Sequence, residues 1–385
     1  MRLLYILGSY YPAQSGGPNN TIHWQAKYLS KNGFNVTVAS LKSGLTQDDI
    51  NNYKIKLNAK NDIEGVKAFY FDFFKSRYLS FRFYFWMLLN FKKFDFIQLT
   101  SYYFPITWFA AFLCNLYKIQ FSLAPRGELE DNALKYSNLL KRLINKVLLI
   151  HLYKKASFIL VTSKQELSFS KKYFHHKMKF ELIPNYIDLS NNKKLTNDEI
   201  ESKRNILYLG RIHPKKGIEN LIKAYLRLDL KLSNGHFLLI AGSGNPEYRK
   251  ELENLAYSNE MYRDKIFFLG HKQGAEKEKL YKESKVFVLP SYSENFGNVV
   301  LESLSHSTPV ISSKYTPWKS LEENKCGFWV ENSPNELAAK LKDLLTMEDH
   351  KYIKYATNSY NYVCREFDIG KNIEKLNILY KSYSK

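Results

Sequence analysis

Two doubly wound α/β domains of Rossmann-like type are the fold this sequence predicts, and three observations predict it. Apolar β-type runs recur at residues 3–7, 36–41, 94–99, 120–124 and 158–161, and again at 205–209, 237–241, 266–269, 286–289 and 309–311. Many of these runs end in a loop bearing glycine or proline, and several lead on into a helical spacing of apolar residues. That is the strand–loop–helix order of a parallel sheet. The series also restarts: a polar, lysine-rich stretch at 191–204 separates the two halves and reads as an interdomain connection. A chain of 385 residues can bury two or three cores. The first domain is expected over residues 1–188 and the second over 189–365.

In the first half, residues 3–7 read as a buried strand. A secretory leader fits less well, because one basic residue and a short apolar run give way to Tyr10-Tyr11-Pro12 and a glycine loop. That loop carries Gly16-Gly17, whose amides could approach a diphosphate; an ordinary turn explains the pair equally well. A helix is expected from about residue 20, with Ile22, Ala26 and Leu29 inward and Gly33 at its end. The strand at 36–41 completes a βαβ unit. There is no G-x-G-x-x-G, so a dinucleotide reading loses its main support.

Residues 69–96 are dense in aromatic and basic side chains. A strand and a core helix with a basic outer face account for most of these rings. Part of this surface is expected at a membrane interface, with rings among headgroups and Lys/Arg against anionic lipid. The run 102–117 is too short to span a bilayer and contains Pro105, so it reads as a buried helix. The strand at 120–124 runs into Pro125-Arg126-Gly127-Glu128. Arg126 therefore lies just past a strand's carboxyl end, where open α/β sheets place ligands. A basic amphipathic helix is expected over 137–153, then a strand at 158–161.

In the second half, the strand at 205–209 leads into Gly210-Arg211-Ile212-His213-Pro214-Lys215-Lys216-Gly217 and a helix over about 218–228. A forked guanidinium and an ammonium on one strand-to-helix loop suit a diphosphate; Lys215 reads as solvated. Gly242-Ser243-Gly244 and Gly270-His271-Lys272 follow the next two strands. His271 reads as structural, and Lys272 as a contact for a base or ribose.

The stretch 286–312 is the most informative. Pro290 and Ser291 break its strand, a polar loop holds Glu294, and Phe296-Gly297-Asn298 opens a helix with Val299, Val300, Leu301 and Leu304 on its apolar face. Glu302 lies on that helix. Gly297 lets a ligand approach the backbone, and the amides of residues 297–299 would attract an anion. With Asn295, Phe296, Asn298 and Val299 around it, the loop offers a carboxylate for hydroxyls, amides for a phosphate and a second carboxylate further in. A nucleotide-sugar needs all three. Either glutamate alone would read as a solvated residue near a helix start.

Composition narrows the partners. With 57 basic and 37 acidic residues the net charge is +20, which favours nucleic acid, phosphorylated ligands or an acidic membrane face. No nucleic-acid-binding motif occurs, and the basic residues spread along the whole chain, so nucleic acid is not expected. Cys114, Cys326 and Cys364 are odd in number and match no zinc spacing, as expected of reduced thiols in the cytosol. The histidines show no ligand spacing, and His175-His176 reads as a surface turn.

The pattern Pro290-Ser291-x-x-Glu294-x-Phe296-Gly297-x-x-x-x-Glu302 resembles the E-x7-E signature of glycosyltransferase family 4 (group 1). Gly210-Arg211 with Lys216-Gly217 resembles that family's Gly-Arg-x-x-x-x-Lys-Gly motif, and Asn185-Tyr186-Ile187-Asp188 its Asn-Gly-x-Asp turn, with Tyr186 in place of glycine. Many members carry a histidine near position 126. Arg126 in its Ala-Pro-Arg-Gly setting resembles a sub-group of bacterial polysaccharide enzymes. Tyr315-Thr316-Pro317-Trp318 stands where the family often has Gly-Gly.

The resemblance covers nearly the whole chain and is strongest over 205–312. It implies the GT-B fold, two Rossmann-like domains facing a cleft, with acceptor on the first, donor on the second and a final helix, 366–385, packing back on the first. It implies retaining transfer of a sugar from a UDP- or GDP-sugar to a lipid-linked saccharide, in bacterial capsule, O-antigen or exopolysaccharide synthesis. The setting implied is the cytoplasmic, anionic face of the cell membrane. Glu302 would hold ribose hydroxyls and Glu294 sugar hydroxyls. Arg211 and Lys216 would neutralise the diphosphate, Gly242 would lie near the base, and Arg126 would serve the acceptor side or cap the site. No divalent metal is expected, since no Asp-x-Asp clamp presents itself. A nucleotide-sugar hydrolase or epimerase of the same fold and a basic nucleic-acid-binding protein are the alternatives.

Overall fold

A computed structural model describes residues 1–13, 17–76, 80–129, 149–174 and 178–383. The chain divides into two compact units, Met1–Asp188 with Ile369–Lys385, and Leu189–Asp368.

The first unit is built on an eight-stranded sheet. Its strands are β1 (Arg2–Leu7), β2 (Asn35–Leu41), β3 (Lys60–Ile63), β4 (Val66–Phe71), β5 (Phe96–Thr100), β6 (Gln120–Ala124), β7 (Phe158–Val161) and β8 (Phe180–Leu182). They lie in the order β3-β4-β2-β1-β5-β6-β7-β8. Only the β3–β4 hairpin is antiparallel; the other pairings run parallel. β1 is central, so both its faces are covered and its sequence from Leu3 on is an unbroken apolar run. Its alternation sends Leu3, Tyr5 and Leu7 to one core and Leu4 and Ile6 to the other. The first core contains Ile22, Ala26 and Leu29 of α1 (Gly17–Lys31).

The second core takes Phe83 and Met87 of α2 (Phe81–Asn90) and Ile106, Ala110 and Cys114 of α3 (Pro105–Tyr117). The basic outer face expected for α2 is not what forms. Phe81, Phe85 and Leu89 point outward, 72%, 62% and 60% exposed. Apart from Arg82 and Asn90 its side chains are apolar or aromatic; Phe83 and Met87 are buried, and the half-buried Trp86 packs on Phe69 and Phe71 of β4. The last helix, Ile369–Lys381, belongs to this unit. It buries Ile369, Ile373, Leu376 and Tyr380 along one face. The Tyr380 hydroxyl meets those of Tyr5, at 3.3 Å, and the Gln98 Oε1, at 3.1 Å. Most of the basic helix expected over 137–153, and His175-His176, lie outside the described residues; Ile150–Tyr153 is helical.

The second unit has six parallel strands: β9 (Asn205–Leu209), β10 (Leu238–Ala241), β11 (Ile266–Gly270), β12 (Ser284–Leu289), β13 (Val310–Ser313) and β14 (Gly327–Val330). Their order is β11-β10-β9-β12-β13-β14. The stretch 191–204, expected as the interdomain connection, is part of this unit. Thr196 and Glu199 form a capping box on α4 (Asn197–Glu201), and Ile200 is buried. Lys203 is buried too. Its ammonium donates to the carbonyls of Tyr281, Lys282, Ser284 and His306 and to the Thr308 hydroxyl, at 2.6–3.4 Å. Burial pushes its pKa down to about 7, against the pull of Glu199; the five oxygens favour the charged form. Among the described residues no helix is long and apolar enough to cross a membrane.

Candidate active site

In the second sheet the chain leaves β9 toward β10 on one side and leaves β12 toward β13 on the other. The loops after β9 and β12 therefore part at a topological switch point, where open sheets leave a ligand crevice at the strands' carboxyl ends.

The loop after β9 is held by bonds between nearby side chains and its own backbone. The Tyr208 hydroxyl donates to the Arg211 carbonyl at 2.8 Å, and His213 Nδ1 accepts from the Lys215 amide at 3.1 Å. Gly217, at φ 62°, ends this turn and starts α5 (Ile218–Tyr225). A Cβ there would lie 2.1 Å from the Pro290 carbonyl oxygen and 2.8 Å from Asn332 Nδ2, so no side chain fits. The two loops are laced together. The Tyr292 amide donates to the Lys215 carbonyl at 2.9 Å, and Asn332 Nδ2 to the Pro290 carbonyl at 2.6 Å. Asn220 Nδ2 bridges the Tyr292 hydroxyl and the Asn332 carbonyl, both at 2.9 Å.

This lacing brings Lys216 and Glu294 together, 78 residues apart in sequence. The ammonium pairs with Glu294 Oε1, which also accepts from the Ser291 hydroxyl at 2.8 Å. Both side chains are largely buried, 17% and 13% exposed, so solvent screens the pair weakly. Arg211, on the same loop as Lys216, is exposed.

Gly297, at φ 82°, caps α7 (Asn298–Ser305), which follows α6 (Gly274–Glu283) in the chain. The first turn of α7 begins at the Glu294 loop, and Glu302 lies just over one turn further along. Glu302 is gripped from α6: Lys277 Nζ donates to one oxygen at 2.7 Å and the Tyr281 hydroxyl to the other at 2.9 Å. Burial, then the charge of Glu302, pushes the Tyr281 phenol well above its ordinary range, so it stays a proton donor. A carboxylate offers about four lone-pair sites, and two are used.

Several expected residues have a different place. Phe296 was expected to line the nucleotide loop. Its ring is instead 6% exposed and packs edge-on against Trp318 and Phe367, and its carbonyl accepts from Trp318 Nε1. It shapes the loop from behind. Arg126 was expected in the catalytic group. Its backbone is left-handed, at φ 55°, and its guanidinium turns inward beside Tyr5 and Tyr380 and donates to Asn185 Oδ1 at 2.9 Å. Burial lowers its pKa, which Glu166 partly offsets. It is a strap between two loops of the first unit.

Gly242 is glycine because a Cβ would strike the Gly210 carbonyl at 1.8 Å. Lys272 pairs with Glu276 at 2.9 Å. Gly17 opens α1, and Gly16 lies outside the described residues. Asn295, Asn298 and Val299 are half-buried around the loop. The sequence reading missed Lys277, Tyr281, Asn332 and Trp318 as partners of the site. Among the described residues, no cluster of three or more His, Cys, Asp or Glu could hold a metal ion.

Two sheets of this order, the first parallel but for one edge hairpin and the second wholly parallel, with a built switch-point site on the second, define a GT-B protein. Solved structures agree along the whole chain. HepE of Anabaena in complex with UDP-glucose matches with a TM-score of 0.78 at 16% identity, covering 99% of this chain and 100% of that one. Sucrose-phosphate synthase from Thermosynechococcus elongatus matches at 0.76 and 18%, covering 99% and 98%.

The family model described as Glycosyl transferases group 1 matches residues 191–360, and that of Glycosyltransferase Family 4 matches residues 15–191. The chain belongs to the group 1, family 4 glycosyltransferases. An uncharacterized glycosyltransferase of Methanocaldococcus jannaschii is 35% identical over 161 residues, 41% of this chain and 40% of that protein. A Campylobacter jejuni protein named as an N-acetylgalactosamine-N,N'-diacetylbacillosaminyl-diphospho-undecaprenol 4-alpha-N-acetylgalactosaminyltransferase is 32% identical over 238 residues, 59% and 60%. The chain spans about half the length of the curated relatives it matches.

Proposed function

We propose that this chain transfers a sugar, with retention of anomeric configuration, from a nucleoside-diphosphate sugar to a lipid-linked saccharide. The observation that carries this reading is the Lys216–Glu294 pair, held between two interlaced loops at the switch point and beside the start of α7. An ammonium has three N–H donors. With one on Glu294, two remain for a diphosphate, and Arg211 adds a fork. Glu294 receives hydroxyls of the donor sugar, and Glu302 uses its two remaining lone-pair sites for the ribose.

In the reaction the bond from the sugar's anomeric carbon to the diphosphate oxygen breaks, and a bond to the acceptor oxygen forms on the same face. The departing diphosphate oxygen takes the acceptor's proton. Its growing charge is met by Arg211, Lys216 and the helix start, which is why no divalent metal is required. The first unit serves the acceptor.

Two relatives support the choice of substrates. HepE was solved with UDP-glucose, and the Campylobacter jejuni protein is named for an acceptor on diphospho-undecaprenol. We assign the chain to the cytoplasmic, anionic face of the membrane, in surface-polysaccharide synthesis. The test is thermal stabilisation by UDP, GDP, dTDP and CMP, for wild type and Glu302→Ala. One diphosphate should raise the melting temperature, and the variant should lose that rise. A flat response to all four in the wild type would refute the donor assignment.

A further inference from the structure

The outer faces of α2 and α3 carry large exposed apolar side chains. Phe81, Phe85, Leu88 and Leu89 on α2 are 44–72% exposed, and Phe112 and Leu116 on α3 are 51% and 58% exposed. Residues 81, 85, 88 and 89 form one helical stripe, and 112 and 116 another. The helices touch: the Tyr84 and Phe109 rings meet edge to face at 5.0 Å, and Phe109 lies 6.4 Å from Phe112. The stripes therefore belong to one surface. Scattered apolar residues are ordinary on a protein surface, but a joined patch of six is not.

Charge identifies what covers it. Across residues 80–120 the basic side chains are Arg82, Lys92, Lys93 and Lys118, and the only acidic one is Asp95. Asp95 is held by Arg2 at 2.6 Å and Arg82 by Asp72 at 3.2 Å, which leaves Lys92, Lys93 and Lys118 as the excess charge. Lys92 and Lys93 follow directly on α2, and Lys92 lies over the Tyr117 ring of α3 at 4.7 Å. Apolar rings flanked by ammonium groups match a headgroup layer, where rings reach the acyl boundary and lysines meet phosphates. α2 is ten residues long, far short of the roughly 20 needed to cross a bilayer, so it lies along the surface.

We propose that this α2–α3 face is the surface by which the chain docks on an anionic bilayer. The proposal rests on the membrane-side reading above and names the residues that carry it. Its chemistry separates two contributions, apolar insertion by Phe81, Phe85 and Leu89 and attraction by Lys92 and Lys93.

The test is flotation of the full chain with phosphatidylcholine vesicles, with and without phosphatidylglycerol. Variants are Phe81→Ser/Phe85→Ser/Leu89→Ser and Lys92→Glu/Lys93→Glu, all at exposed positions. Wild type should float with the anionic vesicles and not the neutral ones, and each variant should bind about tenfold or more weakly. Melting temperature and the nucleotide shift should be unchanged in both, which shows that fold and donor site persist. Anionic binding that survives both variants would overturn this surface and leave the membrane reading standing. No vesicle binding by wild type would overturn both, whatever the nucleotide result. A wild-type dimer that the serine variant turns into a monomer, with lipid binding untouched, would make the face a contact between copies and refute the proposal.

Discussion

Replacing Gly217 with alanine should damage the second unit twice over. The residue sits at φ 62°, where a Cβ costs about 1 kcal/mol by itself. The new methyl group would also lie 2.1 Å from the Pro290 carbonyl oxygen and 2.8 Å from Asn332 Nδ2. Neither can yield cheaply. Pro290 is backbone at the end of β12, and Asn332 Nδ2 is hydrogen-bonded to that same carbonyl. Relieving the clash moves the loops apart by more than an ångström and breaks at least that bond. Overpacking of this kind adds about 2 kcal/mol, for a total of about 3 kcal/mol. Gly270→Ala is the control. It has a similar φ, 70°, but nothing within 4 Å of the new Cβ, so only the backbone cost of about 1 kcal/mol applies. Amide hydrogen exchange read over residues 205–360 localises each loss to the second unit. The Gly217 variant should also lose the nucleotide-induced thermal shift, because Lys216 parts from Glu294. If Gly217→Ala is no worse than Gly270→Ala, and still responds to nucleotide, the interlocked-loop account is wrong.

Other expectations follow from single side chains. Glu294→Gln keeps the shape of the loop but removes the charge that Lys216 faces, so turnover should fall by about a hundredfold while the melting profile keeps its form; near-normal turnover would exclude Glu294 from the reaction. EDTA should leave transfer unaffected, and a loss restored by magnesium would contradict metal-independent chemistry. His23 sets an acid limit on the first unit. Its Nδ1 lies 2.8 Å from the Tyr10 hydroxyl and its Nε2 3.4 Å from Glu64, and the ring is buried. Burial lowers its pKa below 6.5, against the pull of Glu64. The unfolded chain therefore takes up this proton first, and stability fully present above pH 6.5 is lost as pH falls from there through the lower folded-state pKa. Denaturation midpoints for the first unit should drop on the acid side, and His23→Gln should flatten that slope; parallel slopes would refute it.

Much of this architecture could be read from the sequence where strands are central and loops carry chemistry. β6, β7 and β9 were bounded to the residue, because each is a short apolar run closed by loop residues. β3 was missed, since Lys60–Ile63 is a polar edge strand with only one face buried. For α2 the difficulty was different. Its sequence is apolar at nearly every position, so no period says which side faces the sheet. The two loops of the site were legible because Gly217, Gly297, Lys216 and Glu294 each have a local reason to be there. Phe296 misled, because the ring that turns it inward, Trp318, lies 22 residues on. Lys277 and Tyr281 left no trace either. They sit on a helix of mostly charged residues, and only the packing of α6 shows that they face Glu302.

The enclosed ammonium of Lys203 gives the molecule a built-in clock. Its five oxygen partners come from α6, β12 and the turn before β13, so no reagent reaches the amine until those elements separate. An acylating probe applied to the native chain would mark the exposed lysines at once and Lys203 only at each opening. The rate at which that one peptide gains mass then measures how often the second unit breathes, and a bound ligand that stills it would be visible as a slowing of the label.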